Sequence, residues 1–387
     1  VIDNSGFCSR IEVKVNIVQF SLERNLLVVD DFAADDNPLG NPGWNNILGK
    51  GVLPNDTEHD AFWLSMVENL DGFDPALDMI ATSQGSTIPL TKLAMYKSII
   101  WSSYSSVDTR TANQLPELYR YILHRSSTGS GTVSGKVTPN LLALTMAAGG
   151  HILITGQHPV QNVIPRTAIT PRFPFIFLYE LEDLQTGTPD LDDPTGTADF
   201  AYRELCLETL DFALMTNRRI RYTGGLSPYY CQVSAAVRSQ FGSLRDDTMR
   251  EALPLDANFP TLRLRPECSA PGKAYDPAVK GLDVEVYNPQ YFATFCQYVP
   301  VSPRSCFQPI YGLGNFDVNE PTYNQPVAFF TSAYADRVAE VPGAVAARSA
   351  VFGFAPVFFN PDDVRPAIEY IMFNEWKLPR KSTTASN

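Results

Sequence analysis

The apolar positions of this chain change period along its length, and the changes mark its elements. Ile11, Val13, Val15 and Ile17 alternate with polar residues, the period-two pattern of a half-buried antiparallel strand. From Asn25 the run Leu26-Leu27-Val28-Val29 is continuous and ends in Asp30, Asp31 and Phe32, as expected of a central parallel strand buried on both faces. Phe62, Trp63, Met66, Val67 and Leu70 then recur at helical spacing and predict a helix over 58–70. Apolar runs predict strands at 78–82 and 97–101, and Leu115, Leu118, Tyr119 and Ile122 predict a helix over 113–124. Pro139 and Gly149 bracket another helix, which feeds the buried run His151-Ile152-Leu153-Ile154-Thr155-Gly156.

Beyond Val160 the rhythm is lost until Gln325. Helices are expected over 201–216 and 230–241, with a short aromatic strand at 175–179, among Pro-rich loops. Regular structure returns with strands at 326–330 and 348–354. A terminal helix over 362–376 follows, opened by Pro361-Asp362-Asp363 with acidic charge at its N-terminus. Strands alternating with helices at this spacing predict the α/β class, as a three-layer open, mostly parallel sheet with helices on both faces and a large loop-rich insertion.

Composition narrows the setting. The 387 residues include 30 Pro, 17 Tyr and 23 Phe, and only 19% are charged, a balance that points to an extracellular or cell-surface protein. The net charge of −12 argues against nucleic acid or an anionic membrane as partner, and no apolar run is long enough to span a membrane. Six cysteines (Cys8, Cys206, Cys231, Cys268, Cys296, Cys306) form no CxxC and have no zinc-type spacing with the four histidines. One or two disulfides in an exported protein and a set of unpaired buried thiols are both open. Val1-Ile2-Asp3-Asn4 has no signal-peptide pattern, and the absence of an initiating Met suggests a mature fragment or a piece of something longer.

Candidate chemistry gathers at strand ends, where open α/β sheets place their ligands. Asp30 and Asp31 close the first strand, and adjacent strand residues point to opposite faces, so at most one faces a crevice. Gln157 and His158 follow the middle strand, where an imidazole beside Asp30 or Asp31 would make an acid/base pair. Trp101, Ser102 and Tyr104 leave the third strand with hydroxyls and aromatic faces suited to sugar or peptide. His151 starts its strand and is expected at the far end. Gly129–Lys136 invites a phosphate-loop reading, but Ser130 stands where the first glycine belongs and Val137 where a magnesium ligand belongs. Asp190, Asp192, Asp193 and Asp199 make an oxygen-rich loop of the kind that binds calcium, without the spacing of an EF-hand. No other cofactor is implied.

The order of Leu26-Leu27-Val28-Val29-Asp30-Asp31, Gly149-Gly150-His151-Ile152-Leu153-Ile154-Thr155-Gly156-Gln157 and Ala350-Val351-Phe352-Gly353-Phe354 resembles the class I glutamine amidotransferase-like (flavodoxin-like) α/β domains of secreted bacterial proteins. That resemblance implies a cysteine nucleophile after the middle strand and a His/Glu pair near the end. Here there is no Cys between Leu141 and Leu205 and no His after His158, so amidotransferase chemistry is not expected. Asp3-x-x-Gly6-x-x-Ser9 before the alternating strand resembles the last hairpin of an immunoglobulin-like or fibronectin-like module. Residues 1–21 are accordingly expected as the tail of a preceding β-sandwich, or as an edge strand of the main domain. Residues 22–380 are the α/β domain, with 160–325 its insertion and edge strands, and 381–387 are a tail.

The function expected is a non-catalytic domain of a secreted or cell-surface bacterial protein, serving binding, adhesion or assembly with protein or carbohydrate partners. The alternatives are a hydrolase or lyase on carbohydrate or peptide using Asp30 or Asp31 with His158, and a self-assembling filament or surface-layer subunit.

Overall fold

The computed structural model describes residues 19–32, 56–81, 88–104, 142, 145–146, 148–156, 159–160, 205, 207–215, 248–265, 283–289, 307–314, 318, 323–332 and 347–382. The expectations at 11–17, 113–124, 175–179, 230–241 and the acidic loop around Asp190 lie outside these residues, as do all six cysteines.

The core is a nine-stranded sheet in the order β2-β1-β3-β4-β12-β11-β10-β7-β8. Its strands are β1 (Arg24–Phe32), β2 (Met79–Ala81), β3 (Tyr96–Tyr104), β4 (His151–Gly156), β7 (Glu251–Pro254), β8 (Leu262–Arg263), β10 (Phe307–Gly314), β11 (Pro326–Thr331) and β12 (Ser349–Phe352). The four pairings from β2 to β12 are parallel. The four from β12 to β8 are antiparallel. A second sheet has the order β6-β5-β9, from β5 (Leu207–Met215), β6 (Thr248–Met249) and β9 (Asp283–Pro289).

Two expectations are corrected here. The predicted three-layer, mostly parallel sheet flanked by helices is instead a mixed sheet in which half the pairings are antiparallel, and the helices of the described residues are short. The segment 160–325, expected as an insertion with edge strands, supplies β7, β8 and β10, and their antiparallel pairing is what makes the sheet mixed. The helix expected over 201–216 is strand β5, antiparallel to β9 from Leu207↔Pro289 to Leu214↔Asp283. Leu210, Phe212 and Leu214 carry a period of two beside the helical spacing of Leu207, Leu210 and Leu214, and pairing with β9 decided between them.

The strand runs explain the burial. Leu26 to Val29, Ile99 to Trp101 and Ile152 to Ile154 are all buried, on both faces of the sheet. Helix α1 (Asp56–Val67) and helix α4 (Pro361–Glu369) pack on the face that carries Leu26, Val28, Ile100, Leu153, Ala350 and Phe352. On the opposite face Tyr287 of β9 meets Phe329 of β11 edge-on, with ring centroids 4.9 Å apart. Two single-turn helices, α2 (Pro75–Asp78) and α3 (Leu90–Leu93), lie between β1 and β3 in the chain.

Local signals act as the sequence suggests. Gly149 has φ +89, its N–H bonds the carbonyl of Met146, and the Gly150 N–H bonds that of Thr145. Those are the two hydrogen bonds of a Schellman stop, which turns the chain into β4. At α4 the Asn360 side chain accepts from the Asp362 N–H, so the cap stands one residue ahead of the acidic first turn. The terminal helix continues through Tyr370–Glu375 as a π turn, which brings Trp376 back to the sheet.

Candidate functional site

The chain leaves β1 toward β2 on one side and returns to β3 on the other, so β1 and β3 flank a topological switch point. Across the parallel strands Asp30 registers with Ser102 and Ser102 with Thr155. Residues in one register row share a face, and this row faces α1. Helix α1 lays Phe62, Trp63, Met66 and Val67 on that face, and its first turn adds His59 to the same stripe.

His59 completes a polar array. Its Nδ1 lies 3.1 Å from Asp30 Oδ1, its Nε2 lies 3.0 Å from Ser102 Oγ, and the Trp63 indole N–H donates to Nε2 over 3.2 Å. An indole nitrogen only donates, so Nε2 is the acceptor and the imidazole proton belongs on Nδ1, facing the carboxylate. A carboxylate behind Nδ1 and a hydroxyl at Nε2 is the arrangement of a serine nucleophile with its base and orienting acid.

Its surroundings are those of a core. Asp30, His59 and Ser102 are each 2% exposed. Ser102 sits within β3, paired with β1 on one side and β4 on the other, and both pairings continue past it to Ser103. A working nucleophile stands beyond the strand end, next to free backbone N–H groups that receive the developing oxyanion. Ser102 instead lies between sheet and helix. The single lone pair of Nε2 is also divided between the Ser102 hydroxyl and the Trp63 N–H, which weakens its pull on the serine proton. What the array does well is fasten α1 to β1 and β3.

The other expected site residues divide clearly. Trp101 is 1% exposed and registers with Val29 and Ile154 on the face away from His59, so it is core and not ligand-facing. The backbones of Asp31 and Tyr104 pair with Ser103 and Phe32 in the β1–β3 ladder, while their side chains lie outside the described residues. Gln157 and His158 also lie outside them. His151 is buried at the opposite end of β4, stacked on Trp376 with ring centroids 6.1 Å apart. His59 escaped the sequence reading, although its place three and four residues before Phe62 and Trp63 puts it on the predicted apolar stripe.

Two further polar clusters frame the array. Near the carboxyl end of β4, buried Glu285 accepts hydrogen bonds from the Val160 N–H (2.9 Å) and the Tyr287 hydroxyl (2.6 Å). Burial, and then the Glu285 carboxylate, hold the Tyr287 phenol well above its ordinary range. At the amino end of β1, Asp78 Oδ1 accepts from Arg24 Nε (2.6 Å) and from the Tyr96 hydroxyl (3.0 Å), and its Oδ2 accepts from the Asp74 N–H (2.9 Å). Burial pulls the Asp78 carboxyl upward, but these donors outweigh it and the net shift is downward. Tyr96 is pushed up to about 12, by burial first and by Asp78 second. This cluster ties α2 to the sheet far from the switch point.

Among the described residues no group of three His, Cys, Asp or Glu side chains is placed to hold a metal ion, and no helix is long and apolar enough to cross a membrane. Compared with protein families, curated proteins and solved structures, the chain matches none of them.

Proposed function

We propose that this chain is a non-catalytic binding or assembly domain of a secreted or cell-surface protein, with protein or carbohydrate as partner. The observation that carries this reading is the position of Ser102. The one serine held by a histidine and an aspartate among the described residues lies beneath α1, inside a strand paired on both sides. The acidic, aromatic-rich composition and the absence of a cysteine between Leu141 and Leu205, where the turn after β4 falls, support the same reading. The test is incubation with a fluorophosphonate probe and a panel of ester, peptide and glycoside substrates, read by intact-mass analysis and product release. The expected result is an unmodified chain and no turnover. Binding to arrayed glycans and peptides is then expected to weaken in Asp31→Ala or His158→Ala.

The alternative of a hydrolase gains one specific observation, the Asp30–His59–Ser102 alignment, with His59 in the role first expected of His158. It predicts probe adduct on Ser102 and turnover abolished in Ser102→Ala. Either result would replace the binding reading.

A further inference from the structure

We draw no further inference here: the strongest candidate, the buried Glu285–Tyr287 cluster that holds Val160 near the carboxyl end of β4, makes its hydrogen bonds within the chain, and nothing in the structure shows a ligand or partner that it would serve.

Discussion

Replacing His59 with leucine separates a structural array from a catalytic one. Leucine fits the apolar stripe of α1, so the substitution keeps the helix's packing surface and removes only the imidazole. The Asp30 carboxylate, 2% exposed, then loses the N–H that faces it at 3.1 Å, and the Ser102 hydroxyl and Trp63 indole lose their common acceptor. Leaving a buried carboxylate without the neutral N–H that faces it costs about 1–3 kcal/mol. A buried donor left without an acceptor costs about 1–3 kcal/mol, though part of this overlaps with the first figure. A total of about 3 kcal/mol is therefore expected, a large part of the roughly 5–15 kcal/mol that holds an ordinary domain together.

The companion variant removes the whole array, as Asp30→Val, His59→Leu and Ser102→Ala together. It leaves no buried charge behind and deprives only the Trp63 N–H of its acceptor, so it is expected within about 1–2 kcal/mol of the parent. Urea denaturation followed by tryptophan fluorescence reads both, with the midpoint moving at constant slope. The reasoning fails if His59→Leu shifts stability by less than about 1 kcal/mol, below the cost of even one orphaned buried group. It fails equally if the triple variant is no more stable than the single one.

Other expectations follow from the same structure. The buried Tyr311 hydroxyl has no hydrogen-bond partner among the described residues, so Tyr311→Phe is expected to be neutral or to stabilise by about 1 kcal/mol in thermal melts. A Cβ on Gly353 would stand 2.5 Å from the Glu285 carbonyl oxygen, so Gly353→Ala is expected to cost about 1–3 kcal/mol by the same denaturation assay. Asp78 has its folded pKa below the ordinary carboxyl value of 3.8, so its contribution is present above that value and lost as pH falls through the lower folded value. Asp78→Asn should flatten that acid limb in pH-dependent denaturation. Tyr96 is pushed up to about 12 from the ordinary phenol value of 10.0, so its contribution is intact below 10.0 and lost as pH rises through about 12. The alkaline limb should shrink in Tyr96→Phe.

The strands of this fold were legible where burial makes the pattern redundant. The runs at 26–29, 99–101 and 152–154 are apolar on consecutive residues, and each forms a strand buried on both faces. Gly149 was readable because only a left-handed residue ends a helix in that way. In the antiparallel half β11 and β12 were expected at 326–330 and 348–354, but β7, β8 and β10 were not readable. β7 and β8 span only 4 and 2 residues, and β7 is held in the sheet by β10, more than 50 residues on in sequence. Leu207–Met215 shows why: its apolar residues fit two periods, and β9, more than 60 residues on in sequence, decides between them. The site was half legible. Asp30 and Ser102 were marked by standing at strand ends, and the histidine that joins them is His59, which the strand-end pattern does not mark, while His158 lies outside the described residues. Sequence neighbourhood favoured the polar loop after β4, whereas the fold delivered a histidine from the buried face of a helix.

Distances between side chains place Asp30, His59 and Ser102 in the relation of a nucleophilic triad, and distances alone do not distinguish a site from a polar core. Three other properties do. A nucleophile needs an approach path, but Ser102 lies under α1. It needs unengaged N–H groups near the reacting carbon, but its strand is paired on both sides. It needs a base whose lone pair is its own, but Trp63 shares that of His59. Each property follows from one fact, that the register row Asp30–Ser102–Thr155 meets the stripe His59–Trp63 between layers and not beyond the strand ends. A buried polar network in that position gains from being directional, since it accepts one rotation of α1 on the sheet, whereas an apolar contact accepts several. The array is best understood as what sets that rotation, and any ligand surface must then be built from what the strands carry past their last paired residues.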